Sequence, residues 1–210
     1  MAKAAARTGV EIRPLTPARA DDVRTITAST WGAQCWDLWW RSKKPFTTAG
    51  ASKDKKERKR RAMLAKLARR RRAPVLVAYA EGEPVGLVSL GPRVDYDRFQ
   101  AQKTTQPVDD VPAWVIPCIT IRKGYRGRGI ALALIRAAVE YAGARGAPAV
   151  DGYPRADKKK RFDDGSVYMG TPTLFRRAGF RQIRGIETGV PGYYTPRVTM
   201  RASCAPTKKH

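Results

Sequence analysis

The sequence predicts a single α/β domain built on one mixed sheet, and three observations carry that prediction. Trp114–Ile121 is a continuous apolar, β-branched run of strand length. A glycine-rich turn separates it from residues 131–142 (ALALIRAAVEYA), strong helix formers with apolar residues at helical spacing. Strand-like runs also occur both before and after helical ones, the order expected of one sheet with helices packed on it. At 210 residues the chain suits one domain that buries about 70% of its unfolded surface.

Taken in order, residues 10–15 alternate as a first strand, and residues 17–29 read as an amphipathic helix with Val23 and Ile26 facing inward. The stretch 31–40 holds four of the five tryptophans. A loop over 43–52 leads to Ser52, a fitting N-cap for a helix over 53–72. Asp54 suits the positive end of that helix, the arginines at 69–72 suit its negative end, and Pro74 stops it. Residues 75–79 and 85–90 form a hairpin across Glu81-Gly82-Glu83-Pro84. Residues 91–113 are loop and short irregular helix. After the central strand and helix come a short strand at 149–153, a basic polar loop at 155–165 and a short helix at 171–178. Strands at 182–188 and 196–201 complete the domain. It is expected to span 10–202, with flexible flanks at 1–9 and 203–210.

The turn after the central strand carries the first chemistry. Residues 119–131 read Ile-Thr-Ile-Arg-Lys-Gly-Tyr-Arg-Gly-Arg-Gly-Ile-Ala, with three glycines and four basic residues between strand and helix. Glycine lets the backbone approach a ligand closely and adopt positive φ. The unpaired amides and dipole of the helix N-terminus favour a phosphate there. Arg122, Lys123, Arg126 and Arg128 add positive charge, so the turn is read as a pyrophosphate site.

Arg126-Gly127-Arg128-Gly129-Ile130-Ala131 resembles the Arg/Gln-x-x-Gly-x-Gly/Ala signature of the GNAT N-acyltransferase superfamily. Ile119 and Ile121 occupy the apolar positions before it. Leu174-Phe175-Arg176-Arg177-Ala178-Gly179-Phe180 is similar to the family's later helix ending in Gly-Phe. Glu81-Gly82-Glu83-Pro84-Val85-Gly86 resembles its Asp/Glu-Gly-x-x-Val-Gly hairpin. Cys35-Trp36-Asp37-Leu38-Trp39-Trp40-Arg41 and Asp151-Gly152-Tyr153-Pro154 resemble Cys-Trp-x-x-Trp-Trp-Arg and Glu-Gly-Tyr-Pro stretches of one bacterial branch.

The resemblance implies the GNAT fold: a mostly antiparallel, twisted sheet of six to seven strands, about four helices, and central strands that splay to form the donor site. It implies acyl transfer, most often of acetyl from acetyl-CoA, to an amine by direct attack. The strand through Ile119 and Ile121 would pair through its backbone with the pantetheine arm. Arg126, Gly127, Arg128, Gly129, Ile130 and Ala131 would hold the pyrophosphate. Dimers are common in the superfamily, so a homodimer is one expectation.

The proton acceptor is harder to read, because the only histidine is the terminal His210. Asp151 is the first candidate: it follows the signature helix in the strand that, in the family, lines the acceptor site. A solvated or structurally paired carboxylate at a strand end is its alternative. Glu140 and Glu187 are weaker candidates, and Asp109 and Asp110 read as loop residues. Many family members place at Phe175 a tyrosine that protonates the departing thiolate. Phenylalanine cannot, so Tyr168 is the candidate acid. Cys118, an apolar strand cysteine without a histidine partner, reads as packing rather than as a nucleophile. The tryptophans read as core, as a wall of the acceptor pocket or as a platform on which bases stack.

Composition narrows the partners. Cys35, Cys118 and Cys204 are too few and scattered for a disulfide framework or metal cluster, so no metal is expected. No run of apolar residues is long enough to span a membrane, and the N-terminus lacks a signal peptide's apolar core. A cytoplasmic protein is expected.

The formal net charge is +24, far beyond what one CoA requires. Residues 53–72 carry twelve Lys/Arg against Asp54 and Glu57, a net of +10, and residues 155–161 carry +4. Such clustering is the footprint of a polyanion. Lys55, Lys56, Lys59, Arg60, Arg69, Arg70, Lys158 and Lys159 are the candidate nucleic-acid contacts. The alternative is plain solubility. Three functions follow: an acetyl-CoA-dependent N-acetyltransferase with a small-molecule amine acceptor, an aminoacyl-tRNA-dependent acyltransferase, or a noncatalytic RNA-binding protein.

Overall fold

The computed structural model describes residues 9–42, 52–156, 168–186 and 195–204, with the side chains of Trp31 and Gln34 left out. Seven strands form one sheet: β1 (Val10–Pro14), β2 (Val75–Ala80), β3 (Glu83–Pro92), β4 (Trp114–Ile121), β5 (Ala149–Gly152), β6 (Arg181–Arg184) and β7 (Thr199–Ser203), in the order β1-β2-β3-β4-β5-β7-β6. Every neighbouring pair is antiparallel except β4 and β5. Among the described residues there are five α-helices: α1 (Ala20–Thr27), α2 (Lys53–Ala68), α3 (Asp97–Ala101), α4 (Ile130–Gly143) and α5 (Pro172–Arg177).

The parallel pair positions the site. β4 and β5 pair only from Trp114↔Val150 to Ile116↔Gly152. β5 ends there, while β4 runs on for five residues against β3 alone, so the sheet opens at the level of residues 117–121. One face of the sheet is covered by α4, whose Ile130, Leu134, Ala138 and Tyr141 bury against Leu76, Val88, Ile116 and Ile119. A second cluster joins α1 to α2 through Val23, Ile26, Trp36 and Leu64. A third gathers Trp40, Tyr96, Phe99, Val115, Tyr153 and Met169.

Several expectations meet corrections. Ser52 does cap α2, its hydroxyl accepting the Lys55 amide at 3.3 Å, but the helix ends at Ala68 rather than 72. Four successive arginines cannot relieve one another's charge in a continued helix, and the chain must turn into β2. β6 stops at Arg184, and β7 begins at Thr199, three residues later than expected. Before it, Arg197 makes only an isolated bridge to Arg155. Among the described residues no helix is long and apolar enough to cross a membrane, and no group of His, Cys, Asp and Glu could hold a metal ion.

Candidate active site

The turn between β4 and α4 takes its shape from three glycines with positive φ: Gly124 (91°), Gly127 (76°) and Gly129 (79°). Gly129 is the N-cap of α4. Its carbonyl accepts the Ala133 amide at 3.1 Å, which leaves the amides of the first turn pointing outward. No ring or backbone crowds Gly127, where an added Cβ would meet nothing within 4 Å. The turn is thus an open amide cradle at the positive end of a helix.

The basic residues around it are not equivalent. Arg122 pairs with Glu83 at 3.2 Å, and Arg126 Nε donates to the Ile121 carbonyl at 3.3 Å, bracing the turn against the strand end. Arg128 is exposed, with its guanidinium 5.2 Å from the Tyr125 ring.

A cleft of about 340 Å³ runs from this cradle into the opening of the sheet. Ile119, Thr120 and Ile121 form one wall, Tyr168, Gly170, Thr171 and Leu174 the other, and Gly127, Gly129, Ile130 and Ala131 one end. The structure therefore brings the glycine-rich turn, both isoleucines and Tyr168 together. The Ile119 amide, expected to be open to a ligand, instead donates to the Tyr168 carbonyl at 2.6 Å. By strand alternation the Ile121 amide points the same way, into the cleft. Gly86 lies opposite Ile121 in β3; a Cβ there would stand 2.8 Å from Ile121 Cδ1, so the hairpin glycine admits the wall of the cleft.

Tyr168 is half-buried, its phenol raised by burial, and Arg197 lies 5.8 Å from its ring. Phe175 does not line the cleft. It is fully buried, edge-on to Phe180 at 4.8 Å and pressed against Gly152 and Gly170.

Asp151 does not face the cleft. It is 1% exposed, and Arg201 takes both its oxygens, Nε to Oδ1 at 2.6 Å and Nη2 to Oδ2 at 3.0 Å. The two residues sit opposite each other in the β5–β7 ladder. Arg201 also binds Asp109 at 2.7 Å. Glu140 points from α4 and is absent from the cleft wall; Glu187 lies outside the described residues.

A buried polar cluster that sequence reasoning missed lies behind β4. Asp37 is fully enclosed, and burial lifts its carboxyl to about 6 despite Arg41. Ser89 and Cys118 lie beside it, while Arg41 Nη2 stands off at 3.9 Å. That same nitrogen donates to Tyr96 at 2.7 Å, Ser89 at 3.0 Å and the Pro74 carbonyl at 3.0 Å. Trp36 and Asp37 both carry positive φ, 49° and 65°, a cost of about 1–3 kcal/mol each. The signal available was an aspartate inside a tryptophan-rich stretch. Cys118 is buried, and burial holds its thiol well above the usual range. This supports packing over nucleophilic attack.

The basic helix divides into two faces. Lys55, Arg58, Lys59, Lys66 and Arg69 are exposed and share one face by helical spacing. Lys56 is half-buried. Arg60 turns inward, 7% exposed, with its guanidinium 4.9 Å over Trp36, and Arg70 pairs with Asp95 at 3.0 Å. Arg60 is therefore not a surface contact, because the indole gives its charge a platform. Lys158 and Lys159 lie outside the described residues. Trp36 and Trp40 are core; Trp39 is 37% exposed beneath Arg98.

The model of the acetyltransferase (GNAT) family matches residues 33–153. No curated protein matches the sequence. Among solved structures, the fold is similar to a histone acetyltransferase HPA2 and related acetyltransferase from Corynebacterium glutamicum, at 19% identity and TM-score 0.54, covering 95% of this chain and 99% of that one. It is also similar to aminoglycoside 6'-acetyltransferase type Ii, at 12% identity and TM-score 0.55, covering 93% and 98%. A third likeness is to PaiA N-acetyltransferase from Thermoplasma acidophilum in complex with coenzyme A, at 14% identity and TM-score 0.50, covering 92% and 98%.

Proposed function

The chain belongs to the GNAT acetyltransferase family, and on that premise we propose that it moves an acyl group, acetyl from acetyl-CoA foremost, to the amine of a small molecule by direct attack. The observation that carries the reading is the continuity of one cleft from the amide cradle at Gly127 and Gly129 to the opening between β4 and β5.

A pyrophosphate fits the cradle, where helix amides and an absence of side chains allow close approach. The Ile121 amide and the half-apolar wall of Ile119, Leu174 and Tyr168 suit an extended thiol arm. CoA, when bound, supplies the activated thioester; the chain holds it so that the acyl carbon meets the amine. Tyr168 lines the same cleft and is the candidate to protonate the leaving thiolate. Burial keeps that phenol protonated, as an acid requires.

The test is release of free thiol from acetyl-CoA with spermidine, kanamycin and an alanine-initiated peptide as acceptors. Turnover with spermidine or kanamycin supports the reading; turnover with the peptide alone contradicts the small-molecule acceptor, and acetyl-CoA bound but never consumed with any amine contradicts the transfer itself.

One observation favours a second reading. The outward stripe Lys55, Arg58, Lys59, Lys66 and Arg69 carries one sign only, while Glu57 is turned to pair with Arg61 at 3.1 Å. The stripe extends about 20 Å along the helix, a length that tracks a nucleic-acid backbone. The apolar side of α2, Leu64 and Ala68, is packed inward, so the helix has no apolar face for a membrane. An aminoacyl-tRNA, as acyl donor or amine acceptor, is the partner this stripe suits. Salt-dependent tRNA binding that charge reversal abolishes supports it.

A further inference from the structure

A second pocket lies where the C-terminal ends of α2 and α4 meet. Its volume is about 770 Å³, and Arg70, Arg71, Arg72, Asp95, Ala144 and Arg145 line it. It shares no residue with the cleft. The glycine-rich cradle sits at the Ile130 end of α4 and this pocket just past the Gly143 end, about 21 Å away along the helix.

Tyr141 holds the pocket together. It is 3% exposed, and its hydroxyl accepts the Ala73 amide at 2.7 Å, which ties the end of the arginine run to α4. The Arg145 guanidinium stacks on the same ring, 3.3 Å from its centre, with Nη1 donating to the Tyr141 carbonyl at 3.2 Å. Arg70 is held by Asp95 at 3.0 Å. Arg71 and Arg72 are exposed and have no carboxylate partner among the described residues.

Arginines commonly close helix C-termini, and two such ends meet here. Each end carries about half a unit of negative charge, and Asp95 adds one more. Together they offset two of the four guanidinium charges lining the pocket, which leaves about two uncompensated. Guanidinium forks match phosphate oxygens in pairs. Lys66 and Arg69, the last members of the exposed stripe on α2, lead straight into the pocket. One run of phosphates can therefore lie along the stripe and end between these arginines.

We propose that this pocket binds two neighbouring phosphates of an RNA backbone and anchors the strand that follows the stripe. The proposal rests on the second reading above, in which the partner is a tRNA, and adds to it a fixed point of grip. Because the pocket and the cleft have no residue in common, RNA held here does not compete with CoA.

The experiment titrates labelled tRNA with the RNA-free protein at several salt concentrations, followed by fluorescence anisotropy. Arg71→Gln combined with Arg72→Gln should weaken binding by about tenfold or more at low salt and reduce the salt slope by about 1.5. Adding Arg145→Gln should weaken it further. Calorimetric binding of acetyl-CoA should be unchanged in these variants, which shows that they fold. Lys103→Gln combined with Arg181→Gln removes the same charge from exposed positions outside the pocket. That variant should stay within about twofold of the wild type. Wild-type affinity and salt slope in the Arg71/Arg72 variant overturn the proposal, and leave the tRNA reading standing on the stripe alone. An equal loss in the Lys103/Arg181 variant also overturns it, because bulk charge is then the cause. A wild type that binds no tRNA overturns the tRNA reading itself, and this assignment with it.

Discussion

Arg201 closes on Asp151 with two hydrogen bonds, at 2.6 and 3.0 Å, from directly across the β5–β7 ladder. The pairing fixes the register of the last strands and removes from the cleft the carboxylate that the sequence puts first as a base. Asp151→Asn is expected to cost about 1–3 kcal/mol, because it weakens charge-assisted hydrogen bonds to a buried side chain while Arg201 keeps Asp109. Thermal unfolding would show a lower Tm. The pH dependence of turnover should be that of the wild type, whereas a shifted pH profile would return Asp151 to the chemistry.

The joint between β5 and α5 is equally exacting. A Cβ on Gly152 would lie 2.1 Å from Phe175 Cε1, and the ring has Phe180 and Gly170 behind it. Gly152→Ala should therefore destabilise by about 1–3 kcal/mol through overpacking. Urea unfolding is the check, read as a fall in midpoint without change of slope.

Asp37 makes a prediction about stability. Its folded carboxyl titrates near 6 against 3.8 for the free group, with burial as the main cause. Between those values the native state binds more protons than the unfolded one, so stability falls as pH rises through the window. The stability of the wild type relative to Asp37→Asn should thus decline from about pH 4 to about pH 6 and be flat on either side. Denaturant titrations at four or five pH values would show it; a difference independent of pH would remove the burial account.

The exposed stripe on α2 predicts a salt effect. Changing Lys55, Lys59, Lys66 and Arg69 to Glu should abolish tRNA binding at low salt. In the wild type the slope of log affinity against log salt should include about −3 from these four contacts. Fluorescence anisotropy with labelled tRNA measures both. Wild-type binding without a salt slope, or no binding at all, would end the tRNA reading.

Parts of this architecture are plain in the sequence because they are local. The β4–turn–α4 unit needs only an apolar run, glycines where φ turns positive and helix formers after them, all within about thirty residues. The Ser52 cap and the 81–86 hairpin are equally local. The missed features depend on contacts across the chain. Arg60 is buried because Trp36, distant in sequence, lies beneath it. Asp151 is paired because β7 happens to bring Arg201 opposite it. Asp37 reaches its buried position through two successive residues at positive φ, a turn that the apolar pattern does not announce.

The central claim is that the turn at Gly127–Gly129 holds the pyrophosphate of CoA, and calorimetric titration with acetyl-CoA tests it most directly. The account predicts one site of micromolar affinity in the RNA-free protein. Gly129→Glu, which forces a side chain into positive φ and a negative charge onto the cradle, should weaken it at least a hundredfold. No heat of binding in the wild type, or undiminished binding in Gly129→Glu, would contradict it.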